Sequence, residues 1–134
     1  MATILVLDDE PSNLEVITAM LARRGHKVLP ASAGEEAVRI SRTHPGRIDL
    51  VITDVILRGR SGATVAQQIA PLRPDVPCLY ISGTSKEGLN GLLSDEASSS
   101  TRTAFLAKPF TMDQLNAKVE ALLAPVEGQT AAEN

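Results

Sequence analysis

One short segment constrains the fold of this chain more than any other. Residues 50–53 have the sequence Leu-Val-Ile-Thr, and they are followed by Asp54 and by a loop that contains Gly62. A short, largely apolar run between turn residues is typical of a strand buried on both faces of a parallel sheet. The carboxyl ends of such strands form the ligand-binding edge of open α/β sheets, so we predict a functional role for Asp54.

Three other strand-like runs end in polar residues. Asp8 and Asp9 follow the first run, Ser82 follows the fourth, and Lys108 follows the last. Parallel strands bring their carboxyl ends to one edge of a sheet. We therefore expect three carboxylates, one hydroxyl group and one ammonium group to converge there.

The strand-like runs alternate with helical patterns along the whole chain. Strands are predicted over residues 4–7, 27–31, 48–53, 76–81 and 104–107, and helices over about 11–24, 32–43, 63–72, 86–93 and 111–124. This alternation indicates an α/β fold with a parallel sheet covered on both faces. Pro30 lacks the N–H that a central strand needs, so the second strand is placed at an edge. The result is a flavodoxin-like, doubly wound five-stranded sheet of order 2-1-3-4-5 with five helices.

Three residue pairs have the spacing of a capping box, which marks the start of a helix. These pairs are Ser12 with Glu15, Ser32 with Glu35, and Thr111 with Gln114. Pro11 would instead suit the first helical turn if the first cap lies earlier in the chain.

Composition limits the class of protein. The chain has 134 residues, 43% hydrophobic residues and a formal charge of −3, which fits one globular domain over residues 1–124. We expect a polar, disordered tail over residues 125–134.

No basic patch favours direct binding of nucleic acid, and no leader or membrane span is evident, so a cytoplasmic location is predicted. Cys78, the one cysteine, is interpreted as a small buried hydrophobic residue.

The predicted cluster of charges suggests a chemistry. Two unit charges about 4 Å apart repel by about 4 kcal/mol at an effective dielectric constant of about 20, so three carboxylates require a cation or a proton. Oxygen ligands with room for water favour Mg²⁺, or Mn²⁺, over zinc. Lys108 could reach an anion held by the metal, and Ser82 could donate a hydrogen bond to it. These groups indicate a phosphoryl-transfer site with Asp54 as the nucleophile.

Each residue also has a simpler interpretation. The acidic residues 8–10 are compatible with a solvated loop that caps the first helix, Lys108 with a surface lysine, and Ser82 with the cap of a turn. Asp54 favours the functional interpretation, because it ends a separate apolar strand that the same topology brings to the same edge.

The chain resembles the receiver domain of two-component response regulators over residues 3 to about 123. The matching residues are Asp8-Asp9 after the first strand, Asp54 after the third, Ser82 after the fourth, and Lys108-Pro109-Phe110 after the fifth. The resemblance implies that the protein takes part in signal transduction through a phosphorelay. Asp54 would accept the phosphoryl group and form an aspartyl phosphate. The donor would be a histidine kinase or a histidine phosphotransfer protein. Such a protein is a regulator rather than an enzyme, although it assists its own phosphorylation and dephosphorylation.

The resemblance also assigns roles around the metal. Asp9 and Asp54 would bind Mg²⁺ directly, the backbone carbonyl of Ile56 would be a third protein ligand, and Asp8 would act through water. Lys108 would contact the phosphoryl group.

Other implied roles concern switching and rate. Ser82 would swing toward the phosphoryl group, and Phe105 would follow it inward as an aromatic switch. Ile56 and Thr84 occupy positions that influence how fast the phosphoryl group is lost, and the peptide bond before Pro109 would be cis. Phosphorylation would change the binding of an unidentified downstream protein and could drive homodimerisation.

The chain departs from the family pattern in two places. Leu57-Arg58 replaces the common Met-Pro, and the segment 86–103 is a few residues longer than usual, with a Ser-rich stretch that forms helices poorly.

Two competing hypotheses remain. The first is a degenerate receiver that acts as a constitutive protein-interaction module. The second is a hydrolase similar to the haloacid dehalogenases, in which Asp8 and Glu10 would serve as nucleophile and second acid. The hydrolase hypothesis leaves Asp54 and Lys108 without a role.

Overall fold

The computed structural model describes residues 2–57, 60–82 and 103–123. Several predictions from the sequence fall outside these residues: the role of Thr84, the helix over 86–93, most of the Ser-rich stretch and the tail over 125–134. The elements, in chain order, are β1 (Thr3–Leu7), α1 (Pro11–Arg23), β2 (Lys27–Ala31), α2 (Gly34–Thr43), β3 (Leu50–Asp54), β4 (Ile56–Leu57), β5 (Arg60–Ser61), α3 (Gly62–Ile69), β6 (Cys78–Ser82), β7 (Thr103–Ala107) and α4 (Met112–Leu123).

The main sheet has five parallel strands in the order β2-β1-β3-β6-β7. This is the predicted order 2-1-3-4-5, and the strand that carries Pro30 lies at an edge, where Pro30 pairs with Val6. Four of the five predicted helices fall within the described residues. Because β1 and β3 are neighbours, the acidic residues that follow them meet at the same edge of the sheet.

Alternating side chains of the strands build a core on each face of the sheet. On one face, Leu5 and Val51 pack with α2 and α3. On the other face, Ile4 and Ile52 pack with α1 and α4. All four side chains are at most 3% exposed, and each fully buried aliphatic side chain contributes about 1.5–3 kcal/mol. The thiol of Cys78 is buried in the first of these cores, as predicted.

The helix starts confirm one of the three predicted capping boxes. In the box that opens α4, the Thr111 hydroxyl accepts from the Gln114 N–H, and the Gln114 side chain accepts from the Thr111 N–H. The Ser12 box is wrong, because Pro11 takes the first helical position and Glu10 becomes the N-cap residue, without a side-chain cap. The Ser32 box is also wrong in its partner. Helix α2 has Ala33 as its N-cap, so Glu36 instead of Glu35 accepts from the Ser32 backbone and hydroxyl.

A short hairpin follows the central strand where the sequence predicts a loop. Strands β4 and β5 pair antiparallel, with Ile56 opposite Ser61. Helix α3 begins directly after the hairpin, and the Ser61 side chain caps it by accepting from the Thr64 N–H. The hairpin thus folds the chain back and brings the first turn of α3 against the end of β3.

Candidate functional site

The carboxyl edge of the sheet gathers most of the residues that the sequence singled out. Strand β3 ends at Asp54 and β6 ends at Ser82, while Asp8 follows β1 and Lys108 follows β7. Hydrogen bonds extend the sheet past its regular ends: the Lys108 N–H donates to the Ser82 carbonyl at 2.9 Å. This contact holds the backbone of Lys108 beside the end of β6, and the Lys108 side chain extends from there to Asp54 at the end of β3.

Asp54 and Lys108 form the central contact of the site. The Lys108 Nζ atom lies 2.9 Å from Asp54 Oδ2, within both hydrogen-bond and ion-pair distance. The Asp54 side chain is 13% exposed and the Lys108 side chain is 26% exposed, so a carboxylate oxygen can be reached from solvent while its charge is paired. The peptide bond between Lys108 and Pro109 is cis, as the family resemblance implies.

Asp8 is the buried carboxylate of the site, with 1% of its surface exposed. Its Oδ1 atom accepts from the Glu10 N–H at 2.9 Å. Burial raises the pKa of Asp8, and the charges of Asp54 and Asp9 add to this increase. The Glu10 hydrogen bond and the positive charge of Lys108 act in the opposite direction and lower that pKa. The charges of Asp9, Asp54 and Lys108 therefore all act on the buried carboxylate of Asp8.

The donor set fits a hard divalent ion with several water ligands. Within residues 2–57, 60–82 and 103–123, no three acidic, histidine or cysteine side chains are grouped as a metal cage. Mg²⁺ rarely needs such a cage, since it binds through one or two carboxylates and keeps much of its water. If the ion binds as the family resemblance implies, Asp9 and Asp54 would offer the carboxylates, and Ile56 in β4 would offer a backbone carbonyl two residues beyond Asp54. Burial is the largest cause of the raised pKa of Asp8, and a cation bound beside this carboxylate would lower that pKa.

The two predicted switch residues lie in different surroundings. Ser82 is 1% exposed at the end of β6. Phe105 is 38% exposed in β7 and stacks on Tyr80, with ring centroids 5.8 Å apart and an interplanar angle of 20°. The ring of Phe105 thus lies at the surface in this structure, supported from one side by a buried tyrosine.

Sequence reasoning missed a contact behind the nucleophile. The Thr53 hydroxyl donates to the Asp54 carbonyl at 3.0 Å, and Thr53 itself is 1% exposed. A Cβ atom on Gly62 would lie 2.0 Å from the same carbonyl oxygen. The glycine at the start of α3 is a visible signal of close packing, whereas no pattern in the sequence marks Thr53.

An apolar groove of about 460 Å³ opens beside Lys108. It is lined by Asn13, Val16, Ile17, Met20, Lys108, Pro109 and Phe110. The side chain of Val16 is conspicuous there, because 49% of this apolar residue is exposed to solvent. The groove joins one face of α1 to the loop that carries the lysine of the site.

Comparison with known proteins identifies the class to which this fold and site belong. The sequence profile of the response regulator receiver domain matches residues 4–120. The chain is 30% identical over 122 residues to the sensor kinase CckA of Brucella abortus, covering 91% of this chain and 12% of that protein. It is 32% identical over 120 residues to the regulatory protein PhoP of Bacillus subtilis, covering 90% of this chain and 48% of that protein. The crystal structure of the receiver domain of the hybrid histidine kinase CckA superimposes with a TM-score of 0.75 at 32% identity, covering 91% of this chain and 99% of that one.

The chain belongs to the response regulator receiver domain family. A receiver domain is a regulatory module of two-component signalling and not a dedicated enzyme, so the hydrolase hypothesis loses its support. The chain spans less than half the length of these two relatives. Among the described residues, no helix combines the length and apolar character needed to cross a membrane.

Proposed function

We propose that the chain is a phosphorylation-dependent switch. Asp54 accepts a phosphoryl group from a histidine kinase or a histidine phosphotransfer protein. The observation that carries this proposal is the contact of 2.9 Å between Asp54 Oδ2 and Lys108 Nζ at the open edge of the sheet. A partly exposed carboxylate beside an ammonium group can attack phosphorus while the charge of the incoming anion is balanced.

The reaction needs little from the protein beyond position and charge. A carboxylate oxygen of Asp54 forms a bond to phosphorus as the P–N bond of the phosphohistidine donor breaks, and the electron pair of that bond leaves on the imidazole nitrogen. Lys108 then pairs with the phosphoryl oxygens. Mg²⁺, when bound, would supply positive charge that offsets the negative charge of the phosphoryl oxygens. Asp9, Asp54 and the Ile56 carbonyl are the groups that would hold this ion, with Asp8 acting through water.

The added charge gives the switch its driving force. A phosphoryl group adds between one and two negative charges, which Lys108 and Ser82 can pair in one conformation better than in another. The ring of Phe105 is 38% exposed and stacks on Tyr80. We expect this ring to follow Ser82 inward when the chain is phosphorylated. The loss of the phosphoryl group by hydrolysis would be tuned from the positions of Ile56 and Thr84.

The test is covalent labelling. Incubation with Mg²⁺ and a small phosphodonor should add one phosphoryl group per chain, detected by intact-protein mass spectrometry. Asp54→Asn should abolish the mass increase, whereas Asp75→Asn should keep it, because Asp75 is an exposed acid before β6, at the opposite end of the sheet. No mass increase of the wild-type chain with any donor would refute the proposal. Partner binding that is unchanged by Asp54→Asn would point instead to the constitutive interaction module.

The apolar groove beside Lys108 suggests how a protein donor approaches. A donor histidine must reach Asp54 past Lys108, so the partner has to cover the surface formed by α1 and the loop after β7. A helix with apolar side chains around its phosphohistidine matches a groove of this lining.

We expect Val16→Asp to slow transfer from a protein donor at least tenfold, since it places a charge against apolar surface. Transfer from a small donor should be unchanged. Leu72→Asp is the matched control, because Leu72 is 39% exposed and lies outside this groove. Equal effects of the two substitutions on protein-mediated transfer would contradict this docking site.

A further inference from the structure

We infer that Thr53 is a positioning residue for the phosphoacceptor, acting together with Gly62 on the backbone of Asp54. This inference rests on the proposed function. The Thr53 hydroxyl donates to the main-chain carbonyl of Asp54. This hydroxyl acts behind the site, on the main chain from which the nucleophile extends.

The contact consists of two parts on one carbonyl group. The Thr53 hydroxyl donates to the Asp54 carbonyl at 3.0 Å, and the Cα atom of Gly62 packs so closely that a Cβ atom there would lie 2.0 Å from the same oxygen. The Gly62 N–H donates to the next carbonyl, that of Val55, at 2.7 Å. Two successive carbonyl groups at the end of β3 are thereby fixed against the first turn of α3.

Fixing these carbonyl groups fixes the chain that follows. The direction of the Asp54 carbonyl defines the peptide plane between Asp54 and Val55, because only two dihedral angles per residue are soft. That plane sets the course of the backbone to Ile56, whose carbonyl is a proposed metal ligand. The same contact therefore holds the carboxylate of Asp54 and the Ile56 carbonyl in register with each other.

On the side away from Thr53, the carboxylate of Asp54 contacts Lys108, and an ion pair with 26% of the lysine side chain exposed leaves room for movement. The buried side offers a more rigid support, because Thr53 is only 1% exposed. A misplacement of about 1 Å can reduce a rate about 100-fold, so a smaller shift is expected to cost about tenfold.

The test compares Thr53→Val with Thr53→Ser. Valine keeps the shape of the side chain but puts a methyl group where the hydroxyl donates, whereas serine keeps the donor. We expect Thr53→Val to lower the rate of phosphorylation by a small donor about tenfold and to weaken Mg²⁺ binding, measured by calorimetry without donor, several-fold. Thr53→Ser should stay within about twofold of wild type in both measurements.

A matched control is available in α1. The Thr18 Oγ1 atom is buried without a hydrogen-bond partner in the described structure, so Thr18→Val makes the same chemical change away from the site. We expect it to leave the rate and the Mg²⁺ affinity unchanged. All variants are compared below their unfolding transitions, followed by circular dichroism, and Thr53→Ala replaces Thr53→Val if the valine variant does not fold.

Wild-type rate and Mg²⁺ affinity in Thr53→Val would overturn the inference. So would an equal defect in Thr53→Ser, because the effect would then come from packing and not from the hydroxyl donor. A wild-type chain that binds Mg²⁺ but takes no phosphoryl group would refute the proposed function instead. The Mg²⁺ affinities of the two Thr53 variants would still decide whether the hydroxyl positions the site.

Discussion

Gly62→Ala is the sharpest structural perturbation of the site, because the space for a methyl group is already occupied. The new Cβ atom would lie 2.0 Å from the Asp54 carbonyl oxygen and 2.9 Å from Thr53 Oγ1. Ordinary contacts between heavy atoms begin at about 3.4 Å, so the backbone of β3 or of α3 must move by about 1 Å or more. The atoms that must yield belong largely to the main chain, which relaxes less easily than the end of a side chain.

The size of the effect follows from this geometry. Overpacking of a core costs about 1–3 kcal/mol and occasionally more, and the short contact here places Gly62→Ala near the upper end. Alanine is favoured over glycine in a helix by up to about 1 kcal/mol, which offsets part of the cost. We expect a net loss of about 2–3 kcal/mol in the free energy of unfolding, or roughly 10 °C in Tm for a domain of this size.

Two other glycines serve as controls in the same thermal and chemical denaturation series. Gly46→Ala should be nearly neutral, because the nearest atom is the movable ring of His44, at 3.3 Å. Gly25 has a φ angle of 88° and no atom within 4 Å of the added Cβ, so Gly25→Ala should cost about 1–2 kcal/mol through backbone strain alone. Only Gly62→Ala should also slow phosphorylation of Asp54.

The result that refutes this reasoning is a Gly62→Ala variant with a Tm within about 2 °C of wild type and an unchanged rate of phosphorylation. A lower Tm with an unchanged rate would retain the packing argument. It would, however, remove the proposed link between the start of α3 and the nucleophile.

Two further predictions concern regions away from the site. Burial and the positive charge of Arg24 lower the pKa of His26, so the folded state takes up a proton less readily than the unfolded chain. Stability should therefore fall as the pH drops from above the ordinary value of 6.5 toward the lowered pKa, and His26→Gln should reduce this loss. Parallel urea titrations at high and low pH measure the difference, and identical pH profiles would contradict it. Arg73 donates three hydrogen bonds to backbone carbonyls at and after the end of α2. Arg73→Lys should cost about 1–2 kcal/mol, because one ammonium group cannot replace a planar donor fork, and an unchanged urea midpoint would rule this out.

The sequence determined the order of the strands and the residues at the edge of the sheet. Pro30 placed the second strand at an edge because it lacks a donor, and the apolar run before Asp54 placed the third strand at the centre. Both signals are local, since they depend on backbone donors and on the period of buried side chains. Parallel topology then sufficed to bring Asp54 and Lys108 to one edge, and the order of the motif residues indicated the family.

The tertiary structure decided what these residues do to one another. The ion pair of Asp54 with Lys108, the raised pKa of Asp8 and the contact of Thr53 and Gly62 with the Asp54 carbonyl all depend on atomic positions. Local patterns fix which strand a residue ends, but the distance between side chains more than 40 residues apart depends on how helices and hairpins pack. The same physical reason explains the two capping boxes that the sequence misplaced, since a shift of one residue at a helix start costs little locally and is settled by packing.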